Sequence, residues 1–153
     1  MNRIREILLP EQILLNVKAT TRDEAIQMVA GSLQGDTRII DWPRFQSTLS
    51  ECARSSRINI GLGLTIPHNR TSSVATMVMA FGRLSEPIHR GAASIRFVLV
   101  IGIPETMDAD YLRLVGGLMR AFKDDELRRR LETAQTPEAV LSTFERVETK
   151  LVS

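Results

Sequence analysis

Cysteine, histidine and large aromatics are scarce in this chain, and each scarcity narrows its chemistry. A single cysteine, Cys52, permits no internal disulfide and makes a reducing compartment the expected home. The two histidines, His68 and His89, have no cysteine or carboxylate cluster at ligand spacing, so no metal site is expected. Gly61-Leu-Gly63 lacks the third glycine and the later acidic residue of a dinucleotide fingerprint, and no other cofactor motif is present. Charge of one sign is lacking as well. Twenty basic against eighteen acidic side chains leave +2, too little for a nucleic-acid footprint. The longest apolar run, Phe97 to Ile103, is far too short to span a bilayer, and acidic and polar residues interrupt the opening MNRIREILLPEQ, so it does not read as a signal peptide. The expectation is a cytoplasmic protein with no nucleic-acid partner and no membrane segment of its own.

What is present is ordinary for a globular chain: 43% hydrophobic and 25% charged residues, with no repeat, linker or low-complexity tract. Residues 1–153 therefore read as a single domain, long enough to bury roughly 68–70% of its unfolded surface. Thr21-Arg-Asp-Glu24 is a capping box ahead of Ile26, Val29, Ala30 and Leu33 at helical spacing. Asp41 caps a second helix with Pro43 in its first turn and Trp42, Phe45 and Leu49 as its stripe. Strand-forming runs follow at 58–60, 64–66, 74–81 and 95–103, the last apolar on both faces as in a covered strand. Helices then return. Asp108 or Asp110 opens one with Leu112, Val115, Met119 and Phe122 in register, Leu127 and Leu131 mark a short one, and Thr136-Pro137 opens the last. Helices at both ends of a central β region predict an α/β layered domain.

Within it, GLGLTIPHNR stands out, Gly61 to Arg70. Pro67 fixes its own φ and holds Ile66 extended, so the His68 imidazole leaves a strand end in a defined direction. Gly61 and Gly63 lack β-carbons and allow close backbone approach, Arg70 offers a planar fork for an oxyanion, and Asn69 adds a neutral donor. A nucleophile beside anion-binding groups is what phosphoryl transfer requires, because that chemistry is mostly positioning and charge neutralisation. The same residues also suit a plain turn at a strand end, and spacing alone does not separate the two. Arg57 either reaches this pocket from a neighbouring strand or lies on a solvated face. His89, in Pro87-Ile-His-Arg-Gly91, reads as a surface residue in a turn.

The stretch resembles the signature Gly-x-Gly-Ile-Ala-Ile-Pro-His-Gly-Arg/Lys of IIA domains of the bacterial phosphotransferase system, of the fructose/mannitol type that includes the nitrogen-regulatory IIA proteins. The likeness extends to IREILLPEQILLNVKATTRDEAIQMVAGSL, which resembles the family's first segment and helix, to LSEPIHRGAASIRFVLVIGIP, which resembles its strand pair, and to LRRRLETAQTPEAVLSTF, which resembles its last two helices. It implies a mixed sheet of about five strands flanked by helices. It also implies that His68 accepts a phosphoryl group from the phosphohistidine of HPr and passes it to a IIB domain or carries it as a signal. His68 would attack through one ring nitrogen while a carbonyl or side chain holds the other N–H.

Four departures from the family pattern surround the motif. Tyr111 stands where many members place a second histidine, and can serve the pocket or simply begin the helix. Ile58-Asn-Ile-Gly61 replaces Thr-Gly-Ile-Gly, Cys52-Ala53 falls where an Arg-Glu pair is common, and Asn69 replaces glycine. A second function class arises from them: a regulatory binding module with the IIA fold that controls a protein partner, phosphotransfer reduced or lost.

Overall fold

The computed structural model describes residues 4–55, 62–90 and 93–152. Arg57, Gly61 and the strand expected at 58–60 lie outside these residues.

A short helix α1 (Ile4–Ile7) and a 3₁₀ turn (Pro10–Gln12) lead into strand β1 (Ile13–Val17). Helices α2 (Arg22–Gly31) and α3 (Trp42–Ser55) follow. The Thr21 side chain accepts from the Glu24 N–H at 3.1 Å, satisfying one orphan donor of α2. The Asp41 carboxylate likewise accepts from the Arg44 N–H at 3.2 Å at the head of α3. Strands β2 (Leu64–Thr65), β3 (His68–Arg70), β4 (Val78–Arg90) and β5 (Ala93–Ile103) come next, then helices α4 (Asp108–Lys123), α5 (Asp125–Thr133) and α6 (Pro137–Val152). Among the described residues, no helix is long and apolar enough to cross a membrane.

The five strands form one mixed sheet in the order β1-β4-β5-β2, with β3 also on β5. β1 runs parallel to β4, β4 antiparallel to β5, and β2 and β3 both parallel to β5. β2 and β3 are thus two pieces of one edge strand, interrupted at Ile66-Pro67. Proline has no N–H to give the ladder, so the break falls there, while its carbonyl still accepts from the Ile101 N–H at 3.1 Å. His68 opens the second piece rather than ending the first.

β4 and β5 pair as a hairpin much longer than the runs 74–81 and 95–103 suggest. A register shift between Arg83 and Ile88 absorbs Pro87. His89, expected in a turn, lies on β4 opposite Ser94 and is exposed.

Alternation along the sheet divides the core in two. Phe81, Phe97, Leu99 and Ile101 pack against Leu118, Phe122, Leu131, Leu141 and Phe144 of α4, α5 and α6. Val78, Ala80, Val98 and Val100 pack against Ile26, Val29, Phe45 and Leu49 of α2 and α3. Both faces are covered, which explains the unbroken apolar run of β5. The stripe on α4 differs from the expected one. Leu118, Ala121 and Phe122 are buried, Tyr111, Leu114 and Val115 half-buried, and Leu112 is 68% exposed.

Candidate functional site at the interrupted edge strand

The parallel register fixes where each residue of β3 points. His68 pairs with Ile101, Asn69 with Gly102 and Arg70 with Ile103. Ile101 and Ile103 face the helices α4 to α6, so His68 and Arg70 face α4, and Asn69 faces α3.

His68 is half-buried at the head of β3. Its Nδ1 lies 3.2 Å from the Ile66 carbonyl oxygen. A carbonyl can only accept, so this contact is a hydrogen bond only when Nδ1 carries the proton, and Nε2 then keeps the lone pair. The Pro67 ring between the two residues makes so local a tether possible. Tyr111, one turn into α4, places its ring 5.5 Å from the imidazole at an interplanar angle of 33°. Burial pushes the Tyr111 phenol above its ordinary range, keeping it a neutral donor.

Arg70 reaches the start of α4. Its Nε donates to Asp108 Oδ1 at 2.8 Å and its Nη2 to the Glu105 carbonyl at 3.0 Å. The Asp108 hydrogen bond holds the guanidinium further above its usual value, and both side chains are more than half exposed, 55% and 58%.

The remaining candidates are dispersed. The Asn69 side chain turns to the opposite face, is buried, and donates to the Phe45 carbonyl at 3.1 Å and to Thr48 Oγ1 at 2.7 Å. It is therefore spent on docking α3, and its amide takes no part in the His68 pocket. Gly63 adopts φ +71° at the entry to β2, where its carbonyl accepts from the N–H groups of Arg96 and Phe97. A β-carbon there would meet Arg96, not His68. Five positions along an extended edge separate Gly63 from His68, roughly 16 Å, so its role is a left-handed turn beside a separate cleft lined by Ser94, Arg96 and Glu132. The site brought together is His68, Tyr111, Arg70 and Asp108. Asp108 was legible only as a helix opener; its role as the partner of Arg70 depends on the β3–β5 register.

A mixed sheet between two helical layers, with one tethered imidazole on its edge strand facing the start of a helix, defines an α/β domain of the IIA type. The chain belongs to the family described as "Phosphoenolpyruvate-dependent sugar phosphotransferase system, EIIA 2", whose model matches residues 6–147. One relative is the PTS system 2-O-alpha-mannosyl-D-glycerate-specific EIIABC component of Escherichia coli (strain K12), 27% identical over 88% of this chain but 21% of its own length. The chain thus spans about a fifth of that relative. Among solved structures, the nitrogen regulatory protein IIA-Ntr from Neisseria meningitidis superposes with a TM-score of 0.78 at 22% identity, over 92% of this chain and 98% of that one. Enzyme IIA mannitol from Escherichia coli, in its complex with phosphorylated enzyme IIB mannitol, superposes with a TM-score of 0.74 at 19% identity, over 88% and 94%. These likenesses establish the fold.

Proposed function

We propose that this chain is a phosphocarrier in which His68 accepts a phosphoryl group from an HPr-type phosphohistidine donor and passes it to a IIB domain or holds it as a signal. The observation that carries the reading is the tether from Nδ1 to the Ile66 carbonyl, which orients the ring and reserves Nε2 as nucleophile. As the Nε2–P bond forms, the P–N bond to the donor breaks. The donor leaves as a neutral imidazole that keeps the proton on its other nitrogen, and His68 keeps its own Nδ1 proton. Charge on the transferring oxygens is taken up by the guanidinium of Arg70 and the neutral phenol of Tyr111. That a IIA mannitol domain is found in complex with a phosphorylated IIB supports a IIB domain as the partner in transfer. On this reading the protein works in the cytoplasm, and the single cysteine suits that compartment.

Incubation with a phosphorylated HPr-type donor is expected to add one acid-labile phosphoryl group, scored by intact mass. His68→Ala is expected to abolish it. A wild-type protein that stays unlabelled while a known IIA domain is charged in the same tube overturns the reading.

One observation favours the second class of function. Arg70, the cation nearest His68 in sequence, is engaged by Asp108, and Tyr111 supplies no charge. A regulatory module that binds a protein partner, with slow phosphotransfer, fits this arrangement and the likeness to IIA-Ntr. Partner capture that is unaffected by His68→Ala would favour the module over the carrier.

A further inference from the structure

With His68 as the phosphoryl acceptor, the reading on which this inference rests, the engagement of Arg70 bears directly on the transfer step. His68 and Arg70 share one face of β3 at a separation of two residues, roughly 6.6 Å along the strand, within reach of an arginine side chain. The guanidinium is already engaged, by Asp108 Oδ1 at 2.8 Å and the Glu105 carbonyl at 3.0 Å. With both partners more than half exposed, the ion pair is in water, and such pairs are weak and exchange readily. A phosphoryl group on His68 would bring close to two negative charges and three strong acceptor oxygens within reach of the same fork of donors. One carboxylate and one phosphoryl group then compete for a single guanidinium.

We propose that Asp108 is a positioning residue that occupies the Arg70 guanidinium in the unphosphorylated protein and yields it when His68 is phosphorylated. Asp108 thereby sets how readily His68 gains and keeps the group. The exchange also alters the protein surface beside the site. Asp108 is the first residue of α4, and Leu112, 68% exposed, lies one turn later. Losing Arg70 leaves the Asp108 carboxylate uncompensated beside that apolar side chain, so a partner meeting this end of α4 encounters a different charge in the two states.

The test uses phosphoramidate as donor, so that changes on the α4 surface cannot act through docking of a protein donor. In this reaction the P–N bond of the protonated donor breaks, ammonia leaves, and the Nε2–P bond forms. Wild type, Asp108→Asn, Asp108→Glu, Arg70→Gln and the double variant Asp108→Asn/Arg70→Gln are followed by intact mass and phosphorus NMR, with His68→Ala as the control for site. Freeing Arg70 by Asp108→Asn is expected to raise the rate of phosphohistidine formation and its lifetime several-fold. Asp108→Glu should restore wild-type behaviour, and the gain should vanish when Arg70 is also replaced. Rates for Asp108→Asn equal to or below wild type overturn the proposal. So does a gain that persists undiminished without Arg70, which would mark simple removal of a negative charge. No label on wild type, or a label that survives His68→Ala, overturns the acceptor assignment and this inference with it.

Discussion

Asn69 lies between His68 and Arg70 in sequence and does different work from either. Strand alternation sends its side chain through to the α3 side, where its amide satisfies the Phe45 carbonyl and Thr48 Oγ1 within a region closed to water. Replacing it by alanine removes both of these bonds from a buried position, although the Phe45 carbonyl still accepts from Thr48 Oγ1 at 3.3 Å. Asn69→Ala is expected to lose about 1–3 kcal/mol of stability, read from the denaturant midpoint. The rate of phosphoryl gain in the folded fraction should stay at the wild-type value. A large rate loss without a stability loss would instead make Asn69 a phosphate ligand. The residue types in GLGLTIPHNR advertise anion binding collectively, but they do not say which side chains share a face. His68 was legible because a proline fixes its approach, and Arg70 because it sits two residues on. Asn69 and Gly63 could be assigned only once pairing and dihedral angles were known.

At the scale of elements, the approach of α3 to the sheet is set by a glycine. Gly102 pairs with Asn69 on one side and Val78 on the other, and a β-carbon built on it would lie 2.7 Å from Phe45 Cε2 and 2.9 Å from Val78 Cγ2. Both neighbours are fully buried and have nowhere to move. Gly102→Ala should therefore destabilise the protein by about 1–3 kcal/mol in a denaturant titration. Gly116→Ala is the control: its β-carbon meets nothing within 4 Å on a turn of α4, and it should stabilise by about 0.4–1 kcal/mol. Three helix starts were legible because capping chemistry is local: Thr21, Asp41 and Thr136 each accept from a first-turn N–H as their sequences predict. The β4–β5 hairpin was legible only through the family likeness, which marks 84–104 as a strand pair. From the residues alone Pro87-Ile-His-Arg-Gly91 read as a turn, whereas cross-strand pairing past a register shift carries β4 on to Arg90. The α4 stripe departs from the predicted one by a small rotation, because glycine, alanine and tyrosine contribute to the covered face alongside leucine. Leu112 is left in water.

For the molecule as a whole, an ionic cluster ties the amino-terminal segment to the loop before α3. Arg38 donates to Asp36 and to the carbonyls of Glu6 and Ile7, while Gln12 donates to Asp36. The Arg38 hydrogen bond is the main reason the Asp36 carboxyl is lowered from 3.8 to about 2. Because the folded value lies below the unfolded one, the stabilisation is complete above about pH 5 and is lost as pH falls through 4 toward 2. It amounts to about 2 kcal/mol. Asp36→Asn should lower the thermal midpoint at pH 7 and flatten the acid limb between pH 4 and 2, measured by circular dichroism. An unchanged acid limb would remove Asp36 from the account.

By itself the sequence determined the α/β class, three of the helix starts, the covered strand at 97–103 and the imidazole on which the functional reading turns. Each of these comes from local propensity or from a short pattern of residue types. Only the tertiary structure decided that the strand carrying His68 is an interrupted edge, that Asn69 serves α3, and that Arg70 is shared with Asp108. Those depend on the register between segments some thirty to forty residues apart, where shifting a pairing by one residue would send every side chain to the other face of the sheet.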